Sequence, residues 1–202
     1  WSGRSPPCGS APRRSAAALV KRGKELSSET LRTVPGRANE ALEIVTAIGR
    51  LLQGKEDQDA LAWLRKIRPD FHNSAPELEM AFVRISPQTY LTDLGDGAAA
   101  SRKAQETLLL NWNAASSLAQ GLGEIAGLPD ATSDKARMVE QAQEILRAML
   151  DYRNSGITIN TLVAVHSEYA IPDVLRALAA FKPKDLNSSL IAHLGETDVV
   201  VR

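Results

Sequence analysis

Cysteine is almost absent from this chain of 202 residues. Cys8 stands alone, which excludes an internal disulfide framework and a cysteine-built zinc site. Long apolar runs are missing as well. None approaches the roughly 20 residues that a bilayer-spanning helix needs, so a soluble chain with no membrane span is expected. Histidine is sparse: His72, His166 and His193 lie far apart, and none has another His or Cys at metal-ligand spacing. They read as surface or capping residues, and neither metal nor cofactor is expected.

Net charge is absent overall, with 24 basic and 24 acidic side chains, but the two signs are unevenly spread. Residues 1–24 carry Arg4, Arg13, Arg14, Lys21, Arg22 and Lys24 and no carboxylate, which leaves 18 basic against 24 acidic over 25–202. An acidic body is a poor match for phosphate backbones, so nucleic acid is disfavoured as its partner. Residues 1–27, rich in Ser, Pro, Ala and Arg, are expected to form a flexible basic tail. Their composition also fits a targeting-peptide remnant, and a nucleic-acid reading would have to rest on this tail.

What the chain does have is a stretch used twice. Pro76 to Pro87 reads PELEMAFVRISP, and Pro172 to Pro183 reads PDVLRALAAFKP. Leu78, Ala81, Phe82 and Ile85 align with Val174, Ala177, Leu178 and Phe181. Beyond the second proline, Tyr90 aligns with Leu186 and Leu94 with Leu190. A helix, a proline break and a second helix therefore recur. Recurring helix pairs mark arrays in which one unit buries its apolar face only by stacking on the next.

Helical periodicity runs through most of the rest. Leu42, Val45, Ile48 and Leu52 recur at three- and four-residue spacings, and Gly54 ends their helix. Ala60, Leu61, Leu64 and Ile67 form the next, stopped by Pro69. Pro76 and Pro87 sit where a first helical turn tolerates a missing N–H. Leu94 to Gly97 is a turn, and Ser101 is expected to cap a long helix over about 101–126. Its stripe is Leu108, Leu109, Trp112, Ala115, Leu118, Leu122 and Ile125. Ser133 or Asp134 caps a further helix that faces Met138, Ala142, Ile145, Leu146 and Met149 inward. Asn154 to Gly156 turns the chain. Residues 157–165 alternate like a strand but also fit a helix. With no second strand to pair with, they are read as helix. The fold class is all-α.

The pairs resemble HEAT repeats, on the strength of Pro172 to Phe181, Leu186 to Gly195 and Asp198-Val-Val-Val-Arg202. The resemblance covers about 172–202 well and 76–95 in part. It implies a HEAT-like α-solenoid of stacked antiparallel helix pairs, irregular in spacing, over 28–202. The last residues read as the start of another helix, so the repeat domain is expected to be truncated at its C-terminal end. In that family an Asp and an Arg near the start of the second helix of each pair often build a ladder between repeats. Asp198 and Arg202 match it, and Asp134 with Arg137 is a looser echo.

Motifs with chemical meaning resolve into structural ones. Gly121-Leu-Gly123-Glu-Ile-Ala126 has the spacing of a dinucleotide-binding turn, but a helical stripe precedes it where that chemistry needs a strand. Small residues at a helix crossing are the better reading. Gly95 to Lys103 lacks the Gly-Lys-Ser/Thr ending of a phosphate loop. Asp93 with Asp96, and Glu56 with Asp57 and Asp59, read as solvated turn and capping carboxylates rather than an acid–base pair. Trp63, Trp112 and Phe82 fall on apolar stripes and are expected in the core. Tyr90, Tyr152 and Tyr169, near element ends, are the candidates for exposed binding anchors. The expected function is a non-catalytic protein-interaction scaffold with no catalytic residues. The alternative is the helical portion of a larger enzyme, for example a multidomain peptidyl-prolyl isomerase, whose catalytic domain lies outside this chain.

Overall fold

The computed structural model describes residues 10–26, 28–71, 75–157 and 167–183. Among the described residues there are ten α-helices and no strand. They are α1 (Ser10–Lys24), α2 (Ser28–Thr33), α3 (Arg37–Leu51), α4 (Gln58–Ile67), α5 (Pro76–Ile85), α6 (Pro87–Leu94), α7 (Gly97–Leu110), α8 (Trp112–Glu124), α9 (Lys135–Leu150) and α10 (Ile171–Ala180). The chain is all-α.

Local chemistry sets the boundaries. Asp57 caps α4 by accepting from the Ala60 N–H at 2.9 Å. Pro76, Pro87 and Pro172 occupy the opening positions of α5, α6 and α10, where the ring costs no helical hydrogen bond. The link from α6 to α7 needs Gly95, whose φ of 110° a side chain would resist.

Two expectations about this region are corrected. The long helix over 101–126 is two helices, because Asn111 leaves helical geometry (φ −153°, ψ 89°) and its side chain accepts from the Ala114 N–H at 3.1 Å. Asparagine competes for backbone donors in this way and so favours caps over helix interiors. Ser101 does not cap anything: α7 begins four residues earlier, and the Ser101 hydroxyl is buried without a hydrogen-bond partner.

The stretch expected as a flexible tail also differs. Within residues 1–27 it contains α1, which packs on α3 and α4 and buries Ala16 and Val20. Gly23 lies so close to Trp63 that a Cβ there would stand 2.2 Å from the indole. Ala16, Leu19, Val20 and Gly23 share one face at helical spacing, and burying that face outweighs the intrinsic cost of ordering a short helix. Arg22 pairs with Glu25 and Glu40, and Lys24 with Asp59.

Packing follows a succession in which α1 lies on α3, α3 on α5, α5 on α8 and α8 on α10. On the other side, α4 packs on α1 and α5, and α7 packs on α9. One continuous apolar cluster runs from Ala16 to Leu178. The two copies of the recurring stretch are α5 and α10, and they sit on either side of α8. Three of the four matched pairs have matched burial, Leu78, Ala81 and Phe82 in one copy and Val174, Ala177 and Leu178 in the other, whereas Ile85 is buried and Phe181 only partly so. Leu186 and Leu190, the partners of Tyr90 and Leu94, lie outside the described residues, as does most of 157–165.

Glycines mark the crossings. A Cβ on Gly49 of α3 would stand 2.9 Å from the Cα of Ala81, and one on Gly123 of α8 would stand 3.1 Å from the Cα of Ala177. Ala81 and Ala177 are equivalent positions of the repeated stretch. The same joint, a glycine of the preceding helix against the same alanine, is therefore made twice.

Candidate interaction surface

The joints that bring the helices together also shape the surface above them. Where Gly123 meets Ala177, the two backbones approach closely and leave a groove of about 600 Å³ between α5, α8 and α10. Met80 and Gln120 line it, and charged side chains bridge its walls. Arg84 Nε donates to Glu124 Oε1 at 2.7 Å, tying α5 to α8. Ser116 donates to Asp173, tying α8 to α10, and Arg176 pairs with the same carboxylate. A second groove of about 480 Å³ runs between α3 and α5, with Asn39, Glu43, Ala47 and Arg50 on one side and Glu77 on the other. The two grooves flank α5.

Aromatic side chains fall differently from their expected places. Trp63 and Phe82 are buried, as their stripes predict. Trp112 is not: the break at Asn111 makes it the first residue of α8, and it is 36% exposed. Its ring lies 5.6 Å from that of Tyr169, tilted by 48°, and Tyr169 is 39% exposed. Leu110, on the other side of the break, is 60% exposed. Leu110, Trp112 and Tyr169 thus present the largest exposed apolar groups near the α7–α8 junction. Tyr169 is exposed as expected of an anchor. Tyr90 and Tyr152 are buried, because their rings complete the core beneath α6 and after α9.

Tyr90 belongs to a buried polar cluster that the sequence reading missed. Glu79, only 3% exposed, faces α8 at Gly121, where a Cβ would come within 2.7 Å of both the Glu79 Cβ and the Tyr90 hydroxyl. Arg68 Nη2 holds the Glu79 oxygens at 2.8 and 3.0 Å. Burial pushes the Glu79 carboxyl up from its ordinary value, and the charges of Arg68 and Lys103 pull it back only in part. Burial, and then the neighbouring carboxylate, hold the Tyr90 phenol protonated well above its usual range. The signal for Glu79 was available: the residues three and four positions on are Phe82 and Val83, so Glu79 shares their inward face.

The remaining candidates are structural. Gly121 and Gly123 sit inside a helix preceded by another helix, and each serves a crossing. Asp93 receives two hydrogen bonds of 3.0 Å from Arg65, linking α4 to α6. Asp59 pairs with Lys24, and Asp96 precedes α7 without a capping hydrogen bond. Asp134 and Arg137 lie 3.8 Å apart within one turn, and Arg137 reaches Gln88 of α6 at 2.8 Å. Asp198, Arg202 and the three histidines fall outside the described residues. Among the described residues, no three His, Cys, Asp or Glu side chains gather as metal ligands, and no helix is long and apolar enough to cross a membrane. No family model matches the chain, and no curated protein or solved structure matches it at a significant level.

Proposed function

We propose that the chain is a HEAT-like α-solenoid acting as a non-catalytic scaffold for protein partners. The observation that carries this reading is the joint made twice, Gly49 with Ala81 and Gly123 with Ala177. Equivalent joints place successive helix pairs in equivalent relation, which is how a repeat array grows. The succession α1, α3, α5, α8, α10 is then one layer, with α4, α6, α7 and α9 in the other. Ion pairs between successive members, Arg65 with Asp93 and Arg84 with Glu124, resemble rungs.

Such a surface works by area and by a few anchors. Grooves flanking α5 provide the area, and the exposed Trp112–Tyr169 pair provides aromatic groups of the kind that dominate binding energy. The test uses the full chain as bait, with cross-linking and mass spectrometry, beside a Trp112→Ser/Tyr169→Ser variant. A partner that cross-links along one face and is lost in the variant supports the scaffold. A folded chain that captures nothing reproducibly would favour the helical portion of a larger enzyme.

A further inference from the structure

Between the 3-10 turn after α4, the end of α6, α7 and the first half of α8 lies a cavity of about 190 Å³. Arg68 and Lys103 form its cationic wall, Leu94, Ala114 and Leu118 its apolar wall, and Thr107 completes it. Lys103 Nζ is positioned by donating to the Asp93 carbonyl at 3.0 Å. Thr107 donates to the Lys103 carbonyl at 2.8 Å, so its hydroxyl oxygen keeps accepting capacity.

Charge around the cavity does not balance. Arg68 and Lys103 both act on the same buried carboxylate, Glu79. Two further carboxylates lie nearby and each has its own cation: Asp93 is held by Arg65, and Asp70, in the same 3-10 turn as Arg68, is held by Arg32. Among the described residues, four cations (Arg32, Arg65, Arg68 and Lys103) therefore stand against three carboxylates (Asp70, Glu79 and Asp93) here, and Tyr90 is neutral. An ammonium has three donors, and one hydrogen bond accounts for one of them. Arg68 engages Glu79 through a single nitrogen, and its Nε is buried with no acceptor.

We infer that this cavity binds a small monocarboxylate, with its oxygens between Lys103 and Arg68 and its apolar body against Leu94, Ala114 and Leu118. One unmatched positive charge suits a monoanion, and an apolar wall would leave the remaining oxygens of a phosphate without partners. The volume corresponds to roughly six waters at about 30 Å³ each, the size of a four-carbon acid. Two sources share this chemistry: a free short-chain acid, or the C-terminal carboxylate of a peptide ending in a small apolar residue. The site does not rest on the scaffold reading, since a free acid would bind whether or not a protein partner exists.

The experiment is calorimetric titration of the full chain with isobutyrate, with a peptide ending in Val-COOH, with the same peptide amidated, and with inorganic phosphate. Saturable binding of a free carboxylate, lost on amidation and weakened about tenfold or more by Lys103→Gln, is the expected result. Isobutyrate binding as tightly as the peptide assigns the free acid, and a peptide at least about tenfold tighter assigns the chain terminus. Lys103 is exposed on α7, so its variant keeps the fold. Arg68→Met/Glu79→Gln removes both charges together, leaves no lone buried carboxylate, and should also lose binding. The inference fails if neither carboxylate saturates, if the amide binds equally, if phosphate is preferred, or if Lys103→Gln binds as the wild type does.

Discussion

Gly49 of α3 lies against Ala81 of α5 so closely that a Cβ on the glycine would meet backbone at 2.9 Å. Backbone cannot swing aside as a side chain can, so Gly49→Ala must push the two helices apart. The expected cost is about 1–3 kcal/mol, the range for overpacking a close joint. Gly127 is the control, because a Cβ added there would have nothing within 4 Å, and Gly127→Ala should change stability by less than about 1 kcal/mol. Urea denaturation of both variants checks this, and equal effects at the two positions would show that the α3–α5 contact is not tightly packed at Gly49.

Phe82 and Leu178 occupy the same position in the two copies, and both are buried. Truncation to alanine removes buried apolar atoms and leaves a cavity, at an expected cost of about 2–5 kcal/mol each. A cost below about 0.5 kcal/mol at both positions is what a surface side chain gives, and it would mean that the matched stripes do not face a core.

Glu79 sets a pH dependence of defined sign. Burial, the largest effect, raises its folded-state pKa above that of an exposed carboxyl, against the pull of Arg68 and Lys103. The folded protein then keeps the proton after the unfolded chain has released it. The contribution of this group is full below the ordinary value of about 4.3 and is lost as pH rises through the folded value. Glu79→Gln cannot titrate. Its melting temperature should gain on the wild type as pH is raised from about 4 towards neutrality. Glu40 and Asp130, whose carboxyls are held low by Arg37 and Lys135, slope the other way but are common to both proteins and cancel in the difference. A gap that moves in the opposite direction would show the ion pair outweighing burial.

Trp112 is exposed beside Tyr169 while Trp63 is enclosed. Acrylamide should therefore quench Trp112 and spare Trp63. Trp112→Phe is expected to remove a quenchable component of the fluorescence, and Trp63→Phe is expected to leave it. The reverse pattern would return Trp112 to the core.

Much of the fold was legible because helical periodicity is local. The stripes of α3, α4, α5 and α9 are read from spacing alone, and the prolines and Gly54 punctuate them. Errors arose where one residue changes the meaning of a stripe. Asn111 interrupts a pattern that looks continuous from Leu108 to Ile125, and its side-chain cap turns Trp112 outward. Likewise, α1 looks like a tail in composition, and only its docking on Trp63 reveals a helix face. The buried polar cluster was hidden for another reason. Arg68, Glu79 and Tyr90 lie on three different elements, and their convergence depends on how α5 and α6 cross α8.

The succession α1, α3, α5, α8, α10 is also the order in which these helices are synthesised. Each helix meets the one it packs on already formed behind it. By the time Glu124 is made, α5 has α3 on one side and α8 on the other. Nascent chains of increasing length should accordingly gain protease resistance in steps, one for each added helix, rather than all at once near the end.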